Sequence, residues 1–263
     1  MLVGKSPLTP PRMSPDSVVL EIFFVRFPFG DPEANEQLWE EVDEQHLPAE
    51  VRRGLARNGF RTGIVGGQLP VTLARLLELR DRPNTPEGES RASLWDMKGE
   101  SRLLPRRLQI RAAQRGEIVV SGVYDRLPVL LCEGGQLFGQ TYSKAQGILA
   151  VETFPQHDGR VRVELTPEIH HGEMQQRWVG KQEMLRLEAS RHRRVFEDLG
   201  ISATLSPGSV LVVGSLPDRV GSLGHHFFTE GDNHREQKLL VVRLAQTQHN
   251  GLFSPSRILP LGE

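Results

Sequence analysis

Hydrophobic and polar positions alternate along several stretches of this chain, most clearly over residues 160–172. There, apolar side chains occupy every second position, at Val161, Val163 and Leu165. A period of two places one face of a strand in a core and the other towards water. Two almost uninterrupted apolar runs, residues 209–215 and 238–244, predict further strands. The pattern therefore indicates a β-rich C-terminal half.

The first part of the chain predicts a different arrangement, with helices between strands. Pro48 suits the first turn of a helix, and Asn58 followed by Gly59 suits its left-handed C-terminal cap. Apolar residues at helical spacing support the same helix and two others. We predict strands over residues 18–27 and 60–65, and helices over residues 33–44, 49–58 and 70–79. This order, β-α-α-β-α, indicates a small α+β module.

Short β-segments separated by turn residues follow the module. We predict strands over residues 106–112, 116–121, 129–132 and 147–153, in addition to the three strands above. Hairpin connections are expected at residues 122–127, 133–135 and 156–159. Residues 181–199 fit a helix with Met184, Leu187, Phe196 and Leu199 facing inward, although their many charges would also suit an exposed extended excursion.

These predictions divide the chain into five parts and give the fold class α+β. Residues 80–93 combine prolines, a glycine and charges, which is typical of a linker. The predicted division is a disordered arm over 1–17, the α+β module over 18–80, a linker over 81–101, a β-rich domain over 102–250 and a tail over 251–263.

Composition excludes several classes of function. The 263 residues carry 32 basic and 33 acidic side chains, so no overall positive field attracts the chain to nucleic acid. A single cysteine, Cys132, excludes an internal disulfide and any site built from several cysteines, and its apolar neighbours suggest a buried thiol. No stretch reaches the roughly 18 apolar residues of a transmembrane helix. Residues 1–17, with four prolines, do not form a signal peptide as written.

Candidate chemistry is sparse. Imidazole and carboxylate groups that could bind a metal occur at His170, His171, Glu173, His225 and His226, and another imidazole at His234. The spacings typical of zinc sites are absent, and adjacent histidines on a strand point to opposite faces. Gly63, Gly66 and Gly67 lack the register of a phosphate-binding loop, so turn glycines are expected. We therefore predict no catalytic residue, no metal and no cofactor.

The order of features over residues 103–247 resembles the C-terminal β-domain of bacterial secretins, the ring-forming outer-membrane channels of type II and III secretion and type IV pili. Residues 148–154 (ILAVETF) and 162–169 (RVELTPEI) resemble one pair of family motifs. Residues 207–216 (PGSVLVVGSL) resemble the family's glycine-led strand, with Ser215 in place of its second glycine. Residues 238–246 (KLLVVRLAQ) resemble its terminal strand but lack the closing proline.

The resemblance implies a non-enzymatic structural protein of the bacterial cell envelope, a homo-oligomer that other envelope proteins could contact. The location would be the periplasm or outer membrane if a leader precedes Met1, and the cytoplasm otherwise; membrane association stays open. If residues 209–215 and 238–244 lie at open sheet edges, ring assembly would satisfy them. The residues expected to carry edge pairing and core packing are Val161, Val163, Leu165, Pro167, Gly208, Val210, Val212, Gly214, Leu239 and Val241.

Two other functions remain open at this point. One is a monomeric soluble binding or scaffold domain that keeps a secretin-like β-fold without the oligomerising surface. The other is a metal-dependent enzyme that uses the two histidine pairs, His170 with His171 and His225 with His226.

Overall fold

Eleven strands and four short α-helices form the part of the protein that the computed structural model describes, which comprises residues 17–78, 106–179, 186–230 and 235–248. The strands are β1 (Ser17–Pro28), β2 (Phe60–Val65), β3 (Arg106–Arg111), β4 (Gly116–Glu133), β5 (Gln136–Pro155), β6 (Val161–Val179), β7 (Arg186–Val195), β8 (Ile201–Leu205), β9 (Val210–Ser215), β10 (Thr229–Glu230) and β11 (Glu236–Gln248). The α-helices are α1 (Leu38–Glu40), α2 (Ala49–Arg57), α3 (Val71–Glu78) and α4 (Leu223–Phe228). A π-helical turn, Glu33–Gln37, precedes α1, and 3-10 turns lie at Glu44–His46 and Glu197–Leu199.

The strands form two antiparallel sheets. Sheet A has the order β2-β9-β11-β1-β3, and β10 pairs with β11. Sheet B has the order β4-β5-β6-β7, and β8 also pairs with β6. In sheet B, β5 pairs with β6 only from Gln146 onwards, so residues 136–145 pair with β4 alone in the described chain. The protein is therefore mostly β, which confirms the β-rich character expected from the alternating pattern.

Sheet A is buried on both faces, because its central strands carry apolar residues at consecutive positions. Leu211 and Val213 of β9 face a core shared with sheet B, whereas Val210 and Val212 face α1 and α3. Strand β11 alternates in the same way between Leu240 and Val241. The architecture is thus three layers over this part of the molecule: short helices, sheet A and sheet B.

The N-terminal predictions agree closely with the structure. Strand β2 has the predicted bounds, and β1, α2 and α3 differ from them by one residue at most at each end. Gly59 has a φ of 78°, the left-handed conformation expected for a helix C-terminal cap. The predicted acidic helix at 33–44 is shorter and irregular, a π-helical turn followed by the three residues of α1.

Two interpretations in the β-rich half are wrong: the helix over residues 181–199, for which an extended excursion was the other possibility, and the hairpin connection at residues 122–127. Residues 186–195 form strand β7 instead of a helix, because pairing with β6 supplies its backbone hydrogen bonds and overrides helix propensity; residues 180–185 lie outside the described chain. Residues 122–127 are not a hairpin connection, because β4 runs through them. Its pairing with β5 shifts register only between Val119 and Val123, so Gly122 lies in a β-bulge.

Hydrogen bonding crosses the predicted domain boundary. Strand β1 pairs with β3 and β11, and β2 pairs with β9, so sheet A combines strands from the α+β module and from the β-rich part. The arm over 1–16, most of the linker and the final residues lie outside the described chain. Each helix within the described ranges is too short or too polar to span a lipid bilayer.

Candidate functional site

The residues predicted to mediate assembly are core residues of internal strands. Val161, Val163 and Leu165 are fully buried on β6, where β5 pairs on one side and β8 on the other. Pro167, also on β6, lies opposite Leu149 of β5. These side chains are buried and the strand is paired on both sides within one chain, so this part of β6 has no free edge.

The second group of predicted residues also lies inside a sheet. Val210, Val212 and Gly214 belong to β9, which pairs with β2 and β11, and Leu239 and Val241 belong to β11, which pairs with β9 and β1. Gly208 adopts a φ of 89° in the turn before β9. The strands at residues 209–215 and 238–244 are therefore internal, so the condition for ring assembly through them is not met, and their role within the chain is core packing.

Free strand edges lie elsewhere in the described chain, and those of β3 and β7 carry charge. Edge strand β3 contains Arg106, Arg107 and Arg111, and edge strand β7 contains an Arg-His-Arg-Arg run at residues 191–194. Arginines on an edge oppose the addition of another copy, since like charges would face one another. Strand β8 is uncharged, but it has five residues and three of them are buried.

The edge of β5 differs from those of β3 and β7, because residues 136–143 (QLFGQTYS) contain no charged side chain and no proline. All six residues from Gln136 to Thr141 are exposed, with Leu137 at 67% and Phe138 at 39%. No strand in the described chain pairs with this edge. We refer to Gln136–Thr141 as the β5 edge.

The hairpin register determines which backbone groups this edge presents. Gly134 and Gly135 form a two-residue turn, so Glu133 and Gln136 flank it and alternate residues of β5 bond to β4. Consistently, the Leu130 N–H points away from β5 and donates to Gly221 at 2.9 Å. The N–H and C=O groups of Leu137, Gly139 and Thr141 therefore point outward from the sheet.

A buried carboxylate forms the centre of an ionic cluster on sheet B. Glu168 is 3% exposed, and its Oε2 lies 2.6 Å from an Arg115 nitrogen and 2.9 Å from Nε2 of His170. Burial opposes its ionisation, but the hydrogen bond from His170 and the charges of Arg115 and Arg193 hold the pKa of Glu168 below its usual value. The negative charge of Glu168 is thus balanced by its neighbours Arg115 and His170, and these contacts hold the side chains in place on sheet B.

The histidine pairs do not converge. His170 contacts Glu168, whereas the ring of His171 lies 5.0 Å from Tyr142 and 5.9 Å from His192. His225 and His226 lie on α4. In the described residues no three His, Cys, Asp or Glu side chains are close enough to share a metal ion, and His234 lies outside those residues. Cys132 is half-buried instead of fully buried.

Sequence patterns did not single out the β5 edge. A signal was nevertheless present, since an eight-residue run free of charge and proline directly follows a Gly-Gly turn in a chain that is 25% charged. The sequence does not show that pairing between β5 and β6 ends at Gln146. Because β6 does not pair with residues 136–145, this run becomes an edge.

Comparison with known protein families, with curated proteins and with solved structures finds no significant match for this chain.

Proposed function

We propose that this chain is a non-enzymatic structural protein that assembles with a second copy of itself by pairing the β5 edge. The observation that carries the proposal is the exposed, uncharged strand edge at Gln136–Thr141. Unpaired N–H and C=O groups on such an edge are a template for another strand, and natural proteins normally block them with charge, proline or a covering element.

A second copy is the occupant that suits this edge best. An antiparallel pair centred on Gly139 places Leu137 of one copy opposite Thr141 of the other, and no charges face one another. The outward backbone groups of residues 137, 139 and 141 then match in both copies. Pairing would also cover part of Leu137, the most exposed large apolar side chain of the hairpin.

The symmetry of this contact favours a dimer. When a strand edge pairs with itself, both copies use the same patch, so the interface is isologous and closes at two subunits. A ring of the kind that the secretin resemblance implies would need two different edges to meet.

The resemblance to secretins adds a cellular setting to the proposal. The resembling segments at 148–154 and 162–169 are neighbours in β5 and β6, and those at 207–216 and 238–246 include the paired strands β9 and β11. On that resemblance rests the proposal of a structural role in the bacterial cell envelope. Fractionation of the native host tests it, with recovery in the periplasmic or membrane fraction expected and purely cytoplasmic recovery counting against it.

Light scattering coupled to size-exclusion chromatography tests the assembly. We expect a dimer for the native chain and a monomer for Gly139→Lys, because the lysine would face its own copy. A Cβ at Gly139 meets no atom within 4 Å, so the substitution leaves the fold intact. Gly122→Lys is the matched control, since Gly122 lies on the same hairpin with equally open surroundings.

Two outcomes would overturn the proposal. One is a native chain that stays monomeric at its highest soluble concentration, which would support the monomeric binding or scaffold domain. The other is an assembly that Gly139→Lys leaves unchanged, which would place the contact elsewhere on the molecule.

A further inference from the structure

A small cleft lies beside the first residues of β2, and Leu216, which directly follows β9, also lines it. Its volume is about 90 Å³, and its walls come from β2, α2 and the turn at Glu44–His46. The polar lining residues are Glu44, Arg52, Arg61 and Thr62, and Leu55 and Phe60 belong to the apolar part of the wall. The volume corresponds to about three water molecules. Only a small molecule, or the end of a larger one, fits inside.

The cleft carries an excess of positive charge. Nε and one terminal nitrogen of Arg61 donate to Oε1 of Glu44 at 3.0 and 2.6 Å, and its other terminal nitrogen donates to the Asn35 carbonyl oxygen at 2.9 Å. A guanidinium has five N–H donors, so these three contacts leave two of its donors unused. Arg52 is half-buried and forms no ion pair with any acidic side chain of the described chain. Two cations and one anion leave one positive charge.

Unsatisfied polar atoms gather at the same place. Nε of Arg52 and Oγ1 of Thr62 are buried and have no hydrogen-bond partner within the described residues, and the same is true of Nε2 of His46 on the adjoining turn. Thr62 itself is 4% exposed. Its hydroxyl is closed to solvent, so the arginines Arg52 and Arg61 are the lining residues through which we expect an anion to bind.

From these features we infer that the cleft binds a short aliphatic monocarboxylate, of the size of acetate to butyrate. The carboxylate would lie between Arg52 and Arg61, where it supplies the missing negative charge. Its hydrocarbon part would lie against Leu55 and Phe60, so we expect a purely inorganic anion to fit the cleft less well. This inference is independent of assembly through the β5 edge.

Calorimetric titration of the full chain with sodium propionate, at constant ionic strength, tests the inference. We expect saturable binding, with formate weaker because it lacks a tail and propionamide weaker still because it lacks the charge. Arg52→Gln should weaken binding of propionate by roughly tenfold or more, since a charge-assisted hydrogen bond is lost. Circular dichroism would verify that this variant is folded.

Arg53→Gln is the matched control, because Arg53 is the next residue of α2, is exposed, and donates to the Ala49 carbonyl away from the lining residues. Unchanged affinity in this variant supports the assignment. The inference is overturned if propionate shows no saturable binding, if propionamide binds as tightly as propionate, or if the two arginine variants lose affinity equally.

Discussion

The side chain of Asn58 pairs with the backbone of Cys132 as a neighbouring strand would. Its Nδ2 donates to the Cys132 carbonyl oxygen, and its Oδ1 accepts from the Cys132 N–H, both at 2.9 Å. Asn58 is 1% exposed and ends helix α2, while Cys132 lies near the tip of the β4–β5 hairpin. This reciprocal contact attaches the hairpin, and with it the β5 edge, to the rest of the protein.

Replacement of Asn58 by alanine should lower the free energy of unfolding by about 2 kcal/mol, because a buried donor and acceptor lose their partner. Asn58→Asp should also destabilise, since a carboxylate accepts from the Cys132 N–H but cannot donate to its carbonyl. Urea denaturation measures both. Glu50→Ala, at an exposed position of the same helix, should change stability by no more than about 0.5 kcal/mol. A similarly small effect at Asn58 would contradict the attachment role.

A charge at Val212 should prevent folding. Val212 is one of the residues that the sequence led us to expect in edge pairing and core packing, and it is fully buried between β2 and β11, against the helices that cover sheet A. An unpaired buried carboxylate costs several kcal/mol. We expect no cooperative thermal transition by circular dichroism. Val123→Asp, at a position 52% exposed on β4, should fold normally; a folded, cooperative Val212→Asp protein would refute this account.

Gly224 should tolerate no side chain. A Cβ at this position would collide with the Gly59 carbonyl oxygen and lie 2.8 Å from the backbone nitrogen of Phe60, so the obstacle is backbone that cannot rotate away. We expect Gly224→Ala to lower the free energy of unfolding by about 3 kcal/mol. Gly122→Ala, which meets nothing within 4 Å, should leave stability unchanged or slightly raised. Equal stability of the two variants, by urea denaturation, would show that α4 can shift.

Local patterns predicted the N-terminal elements well, because those elements are decided locally. Helix α2 begins directly after Pro48, ends before the left-handed Gly59 and has one apolar face, so capping, turn chemistry and periodicity agree. The short strand β2 is similarly bounded by glycine turns. Where several local signals coincide, sequence alone located the element to within a residue.

Long-range pairing decided the rest. Strand β7 has helix-forming residues, yet it becomes a strand because β6 extends to Val179 and offers a free side. Likewise, the strengths of the apolar patterns at Val212 and Val241 predicted burial but not which sheet neighbours the strands would have. The candidate assembly edge was missed for this reason: an edge is defined by the strand that is absent beside it, which no local pattern records.

Stability should fall as the pH is lowered from about 6.5 to about 4, and His225 should account for part of the fall. Burial lowers the pKa of His225 from 6.5 to about 4, with the charges of His226 and Arg235 acting in the same direction. Between these pKa values the unfolded chain binds a proton that the folded chain does not, so the free energy of unfolding decreases as pH falls through the window. The full effect of this one group is at most about 3 kcal/mol.

His225→Gln removes the titrating group while keeping polar atoms near the hydroxyl of Thr229, which lies 3.4 Å from Nδ1 of His225. Burial also lowers the pKa values of His46, His171 and His226, so the variant should retain a reduced pH dependence and not lose it entirely. Urea denaturation at several pH values measures the slope of stability against pH for both proteins. Parallel slopes would mean that His225 is protonated as easily in the folded chain as in the unfolded one, and that its position between Phe29 and His226 imposes no cost.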